Sequence, residues 1–105
     1  MKTLTKLTID HRGQLVTIKG AGIMRFIDLD HIVYLEAEDN YTCFHLSDES
    51  TFMICKPMGY YVELLAGQFF RCHRSFLVNK NHVETINSRK GHTLQLSTGK
   101  TIPIA

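Results

Sequence analysis

Phe69-Phe70-Arg71-Cys72-His73-Arg74-Ser75-Phe76-Leu77-Val78-Asn79 is the stretch that decides how this 105-residue chain folds. Strict alternation along a strand puts Phe70, Cys72, Arg74 and Phe76 on one face and Phe69, Arg71, His73, Ser75 and Leu77 on the other, so neither face is cleanly apolar. Burying Arg74 among Phe70, Cys72 and Phe76 without a partner is costly. Either the strand breaks near His73-Arg74-Ser75 or Arg74 emerges at its end. A break exposes a polar trio whose chemistry suits nucleic acid: a guanidinium can pair with O6 and N7 of guanine, and hydroxyl and imidazole groups make shorter contacts. Asn79 and Lys80 continue the polar surface. The alternative pairs Arg74 with an acid from residues 28 to 49, leaves Ser75 and Asn79 to satisfy turns, and makes His73 a hydrogen-bonded boundary residue.

Around this segment, short runs of period-2 alternation recur between turn residues, the pattern of half-buried antiparallel strands. Leu4 to Ile9 and Gln14 to Ile18 flank Asp10-His11-Arg12-Gly13 and read as a hairpin. Gly20-Ala21-Gly22 breaks the chain before Ile23 to Ile27. Ile32 to Ala37, Tyr41 to Leu46 and Thr51 to Cys55 form a meander, joined by Glu38-Asp39-Asn40 and Ser47 to Ser50. The spacing predicts one helix over 57–66, with Pro57 at its first position, Gly67 at its C-terminal cap, and Met58, Tyr61, Val62 and Leu65 on the covered face. Strands follow at Phe69 to His73, Ser75 to Val78, Val83 to Asn87, Thr93 to Ser97 and Thr101 to Ile104, with turns at Arg89-Lys90-Gly91 and Thr98-Gly99. The expected fold is mainly β, an elongated set of small antiparallel sheets with one short helix.

The length suits one domain, residues 1–105, with a single core. An apolar fraction of 44% with four Tyr and six Phe excludes a disordered chain. No run reaches the roughly 18 apolar residues needed to span a bilayer, so no membrane partner is expected. Cys43, Cys55 and Cys72 are an odd, widely spaced set, which fits reduced thiols and a cytoplasmic location. Net charge is only +2, but it is segregated. Residues 28 to 49 hold seven acids and no Lys or Arg, whereas residues 71 to 100 hold six bases against the single acid Glu84. That segregation can build a basic face for phosphates, although an ordinary solvated surface also accounts for it.

Three blocks of the sequence resemble the LytTR family of bacterial transcription-regulator domains. They are Ile32-Val33-Tyr34-Leu35-Glu36-Ala37-Glu38-Asp39-Asn40-Tyr41, then Phe69 through Asn79 with His82-Val83 and Ile86, and finally Leu94 through Ile104. The resemblance covers residues from about 23 onward and leaves 1–22 as an N-terminal hairpin. It implies loops, rather than a recognition helix, presented to successive major grooves of promoter double-stranded DNA, in a response regulator of a two-component system. Carried over by position, it implies DNA contacts at Asn40, Tyr41 and Thr42 from one loop and at Arg71, His73, Arg74 and Ser75 from a second, with Arg74 and Thr42 foremost at the bases. Lys80, Arg89, Lys90 and Lys100 would then add phosphate contacts by electrostatics. A homodimer on paired sites and a receiver or sensory domain outside this chain are further implications. Two features depart from the family pattern: family members often continue past the Ile102-Pro103-Ile104 strand with basic DNA-contacting residues, whereas the sequence ends at Ala105, and the residues before Ile23 are too few for a receiver domain.

Six His, ten acids and three Cys are raw material for an enzyme, but no paired-Cys motif, His-Glu-x-x-His, phosphate loop or serine elbow is present. No catalytic residue, metal site or cofactor is therefore expected. The remaining alternative is a protein-interaction or dimerisation module of the same fold with weak or lost DNA binding.

Overall fold

The computed structural model describes residues 3–4, 6–9, 15–20, 22–89 and 91–105. The expected turn at Asp10 to Gly13 and the whole of Lys90 lie outside them. Twelve strands run in chain order among the described residues: β1 (Thr3–Leu4), β2 (Lys6–Ile9), β3 (Leu15–Gly20), β4 (Ile23–Asp28), β5 (Ile32–Glu38), β6 (Tyr41–Leu46), β7 (Thr51–Ile54), β8 (Phe69–His73), β9 (Phe76–Asn79), β10 (Val83–Asn87), β11 (Thr93–Leu96) and β12 (Thr101–Pro103). One α-helix, α1 (Gly59–Leu64), lies between β7 and β8.

They form three sheets. The central one has the order β1-β7-β6-β5-β9-β8, flanked by a three-stranded β2-β3-β4 sheet and a three-stranded β10-β11-β12 sheet. The expectation of small antiparallel sheets holds for the outer two. The central sheet is larger and carries one parallel pairing, β1 with β7. Extents of 46 × 29 × 25 Å give the molecule its long axis. The N-terminal hairpin forms, with Leu7 opposite Ile18 and Thr8 opposite Thr17. β4 completes its sheet along β3, so residues on both sides of position 22 share one sheet.

Both faces of the central sheet are covered, which explains the nearly continuous apolar run Ile32 to Leu35. On one face Leu35, Phe44, Phe52, Ile54 and Leu77 pack against Met58, Tyr61 and Leu65 of the helical segment and against Leu7, Val16, Ile18 and Ile27 of the N-terminal sheet. On the other, Val33, Tyr34, Cys72 and Val78 pack against Leu94, Leu96 and Ile102. The pairing of β5 with β6 shifts register between Ile32 and Tyr34. That irregularity lets the consecutive residues Val33 and Tyr34 both join the second core.

The helix is shorter than 57–66. Its first turn is closed by short-range bonds, Tyr60 N–H to Pro57 O and Tyr61 N–H to Met58 O, which tighten the chain before regular α geometry begins. The chain leaves the helix at Leu65 (φ −107°, ψ 15°), so the C-terminal cap expected at Gly67 is not used. Met58, Tyr61 and Leu65 are buried as the spacing predicts.

Of the two roles open to Asn79, the structure gives it the turn role: it is fully buried, caps the 3-10 turn Lys80–His82 and ties together the end of the sheet where β9 finishes. Its Nδ2 donates to Ile32 O (2.9 Å) and to the Asp30 carboxylate (3.3 Å), and its Oδ1 accepts from the Asn81 amide (3.0 Å). Asp30 also accepts from Asn81 Nδ2 and Gln68 Nε2. The Asn81 bond foremost, helped by those from Asn79 and Gln68 and by nearby His82, holds the Asp30 carboxyl below its ordinary value despite some desolvation. His82 then clasps the C-terminal sheet to this cluster, with Nε2 on Asp30 O (2.7 Å) and Nδ1 on Ser97 Oγ (2.6 Å).

Candidate nucleic-acid interface

Strand directions bring two of the sequence-defined segments together. β5 ends at Glu38 and β6 begins at Tyr41, joined by the two-residue turn Asp39-Asn40, with Glu38 opposite Tyr41. Asp39 has φ 54°, in the left-handed region that Asp tolerates better than most residues. On its other side β5 pairs with β9, Glu36 lying opposite Phe76, and β8 reaches that level with His73 opposite Phe76. The β5–β6 turn and the β8–β9 turn are therefore neighbours at one end of the central sheet. The Ala37 N–H donates to Ser75 O at 2.9 Å and joins them directly.

Of the two conformations open to the Arg74 segment, the strand breaks. β8 stops at His73, Arg74 and Ser75 form a turn, and β9 starts at Phe76. Arg71 Nη2 donates to Arg74 O (2.6 Å), and His73 Nδ1 accepts from the Ser75 N–H (3.0 Å). Arg71 and His73 thus shape the turn, and the second bond fixes the neutral ring's proton on Nε2. Arg74 is exposed, and among the described residues no ion pair joins it to an acid. Glu36 instead meets His45 Nε2 at 3.1 Å.

Thr42 sits beneath the turn rather than on its surface. It is fully buried, and its hydroxyl donates to Lys56 O at 2.7 Å. Asn40 and Tyr41, two and one residues earlier, are exposed at the tip.

The four outlying bases divide. The Ala105 N–H donates to Cys72 O (2.9 Å) and the Ile104 N–H to His92 O (2.9 Å), so the β10–β11 turn leaves the C-terminal sheet at the Arg74 end of the molecule. Arg89 is exposed on that turn, its backbone N–H bound to Asn87 Oδ1. Lys80 lies at the opposite end, beyond Asn79, with its amide on Gln68 O. Lys100 follows the β11–β12 turn, where Gly99 at φ 92° allows the reversal, and it lines a cleft with Val33, Tyr34, His45, Leu46, Glu49 and Thr98. The structure therefore does not bring Lys80 or Lys100 to the end that carries Arg74.

Lys56 reaches that end without having been singled out in the sequence. β7 returns antiparallel along β6 with Ile54 opposite Thr42, so Cys55 and Lys56 emerge beside Tyr41. The Lys56 ammonium lies 4.6 Å from the centre of the Tyr60 ring. Meander parity was the available signal, because every second connection in a meander falls at the same end.

A model of the LytTr DNA-binding domain matches residues 22–105. The chain belongs to the LytTR DNA-binding domain family. Among solved structures it is similar to the LytTr DNA-binding domain from a Bacillus cereus protein described as a methyl-accepting/DNA response regulator. The TM-score is 0.73 at 29% identity, over 88% of this chain and 86% of that one. No curated protein matches the sequence. The mainly β, LytTR-like fold expected from the sequence is thereby established. Among the described residues of this LytTR domain no group of three or more His, Cys, Asp or Glu side chains is placed to hold a metal ion, and no helix is long and apolar enough to cross a membrane.

Proposed function

We propose that this LytTR domain binds promoter double-stranded DNA sequence-specifically and in doing so regulates transcription, with the β5–β6 and β8–β9 turns entering a major groove. The reading rests on one observation: two turns from distant parts of the chain meet at one sheet end, and among the described residues the Arg74 side chain there has no acidic partner. In this reading Arg74 reads a base edge, Asn40, Tyr41 and Ser75 make polar contacts beside it, and His73 offers Nε2. Arg71, Arg89 and Lys90 meet phosphates. A homodimer on paired half-sites and a receiver or sensory domain outside this chain complete the proposed regulator, at work in the cytoplasm.

Selection of bound sequences from random duplex DNA, followed by affinity measurement on the winner, tests the proposal. An enriched site for which Arg74→Ala relaxes the base preference supports it. The absence of any enriched site would overturn it and favour a protein-interaction module. One feature supports that second reading: β4 is an edge strand exposing Ile23, Met24 and Phe26, the last 60% accessible, which suits strand-edge association.

A further inference from the structure

We propose that Lys56, carried on the β7–α1 connection over the ring of Tyr60, grips a DNA phosphate on the groove wall opposite the one met by Arg71. The inference rests on the DNA-binding reading above and adds a third contact element, which neither the sequence motifs nor the family blocks include.

The argument begins with position. Along the sheet end the order is Lys56 after β7, Tyr41 at β6, the Asp39-Asn40 turn after β5, Ser75 before β9, and His73 with Arg71 at β8. From β7 to β8 there are four interstrand spacings of about 4.8 Å, or roughly 19 Å. A B-form major groove is about 12 Å wide. An edge of this width covers the groove and reaches the phosphates on both sides, so turns inserted at its middle leave Lys56 and Arg71 over opposite walls.

Charge supports the same assignment. Between Arg25 and Lys56 the chain has no Lys or Arg, so the β5–β7 side of the edge, which exposes Glu38 and Asp39, draws its positive charge from Lys56. Without that charge, half of the edge would repel phosphate. The fold does not otherwise account for a cation there. A positive charge just before a helix opposes the helix dipole, and among the described residues Lys56 has no ion pair. What holds it is the Tyr60 face, a contact that orders the side chain and leaves its N–H donors available. The buried Thr42 hydroxyl fixes the Lys56 backbone from below.

Fluorescence anisotropy of labelled duplexes across a salt series tests the assignment, using the selected site and a random-sequence duplex of equal length with wild type, Lys56→Ala, Lys56→Arg and Arg74→Ala. Removing one phosphate contact should lower the magnitude of the log K against log salt slope by about 0.9 and weaken binding roughly fivefold near 0.15 M salt. The loss should be equal on both duplexes and should be recovered in Lys56→Arg. Because Lys56 is exposed, the thermal midpoint of each variant should match that of wild type. An unchanged slope in Lys56→Ala, alongside a loss of site preference in Arg74→Ala, would overturn this inference and leave the DNA-binding reading intact. Failure of the wild-type domain to bind either duplex would overturn both.

Discussion

The fully buried hydroxyl of Thr42 donates to the carbonyl of Lys56 across 2.7 Å, locking the start of β6 to the connection between β7 and α1. A residue just past the exposed β5–β6 turn thus acts on that sheet end from beneath it. Thr42→Val keeps shape but leaves the Lys56 carbonyl without that donor, at a cost of about 1–3 kcal/mol. The expected result is a lower thermal midpoint together with a smaller salt slope on both specific and random duplexes, because Lys56 is no longer held. A variant that lost site preference with its salt slope unchanged would show that Thr42 reads bases after all.

Arg74 and the far-end lysines should behave in opposite ways. Arg74→Ala is expected to lose on the order of 1–3 kcal/mol on the selected site and much less on random DNA. Lys80→Ala and Lys100→Ala should leave affinity and salt slope close to wild type, since Lys80 follows the opposite end of β9 and Lys100 lines the cleft beside His45. Salt titrations of the three variants check this, and a slope reduced near 0.9 in Lys80→Ala would place DNA on another surface.

Asn79 is expected to be among the most sensitive polar positions. Asn79→Ala removes the donor to Ile32 O and the acceptor for the Asn81 amide, which also caps the short 3-10 turn Lys80–His82. Leaving such groups unpaired costs about 2–4 kcal/mol in all, a fall in thermal midpoint of roughly 10–20 °C for a domain of this size. Calorimetry or thermal melts by circular dichroism would measure it, and a fall below about 4 °C would mean that water replaces these bonds readily.

His45 predicts a pH dependence of stability. Its ring stacks on Tyr34 (centroids 4.1 Å apart, planes 6° apart), and burial lowers its pKa below the ordinary 6.5, with the repulsion of Lys100 adding to the shift and Glu36 and Glu38 partly opposing it. A histidine whose folded pKa is depressed binds fewer protons when folded than when unfolded between the two values. Its contribution is therefore present above 6.5 and is lost as pH falls through the interval below it. Thermal midpoints measured at about pH 7.5 and about pH 5.5 should fall with acidification, and His45→Gln should flatten that dependence. An equal fall in the variant would assign the effect to other groups.

The sequence could specify the local features. Period-2 alternation located the strands, Pro57 and the Met58, Tyr61 and Leu65 spacing located the helical segment, and the misfit of Arg74 among Phe70, Cys72 and Phe76 required either a break or an emerging strand end at the place where the turn forms. Each depends on residues a few positions apart. Other features depended on which strands become neighbours. β5 lies beside β9 as well as β6, so the Asn40 and Arg74 turns share an end, and the same directions carry Lys80 to the opposite end of the central sheet. The return of β7 and the helical segment packed over it buries Thr42 and lifts Lys56 into the edge, while the crossing of three chain segments encloses Asn79. No local pattern encodes these outcomes, because they come from the common burial of apolar faces on Phe44, Tyr61, Leu77, Val78 and Leu94, residues as far as 50 positions apart.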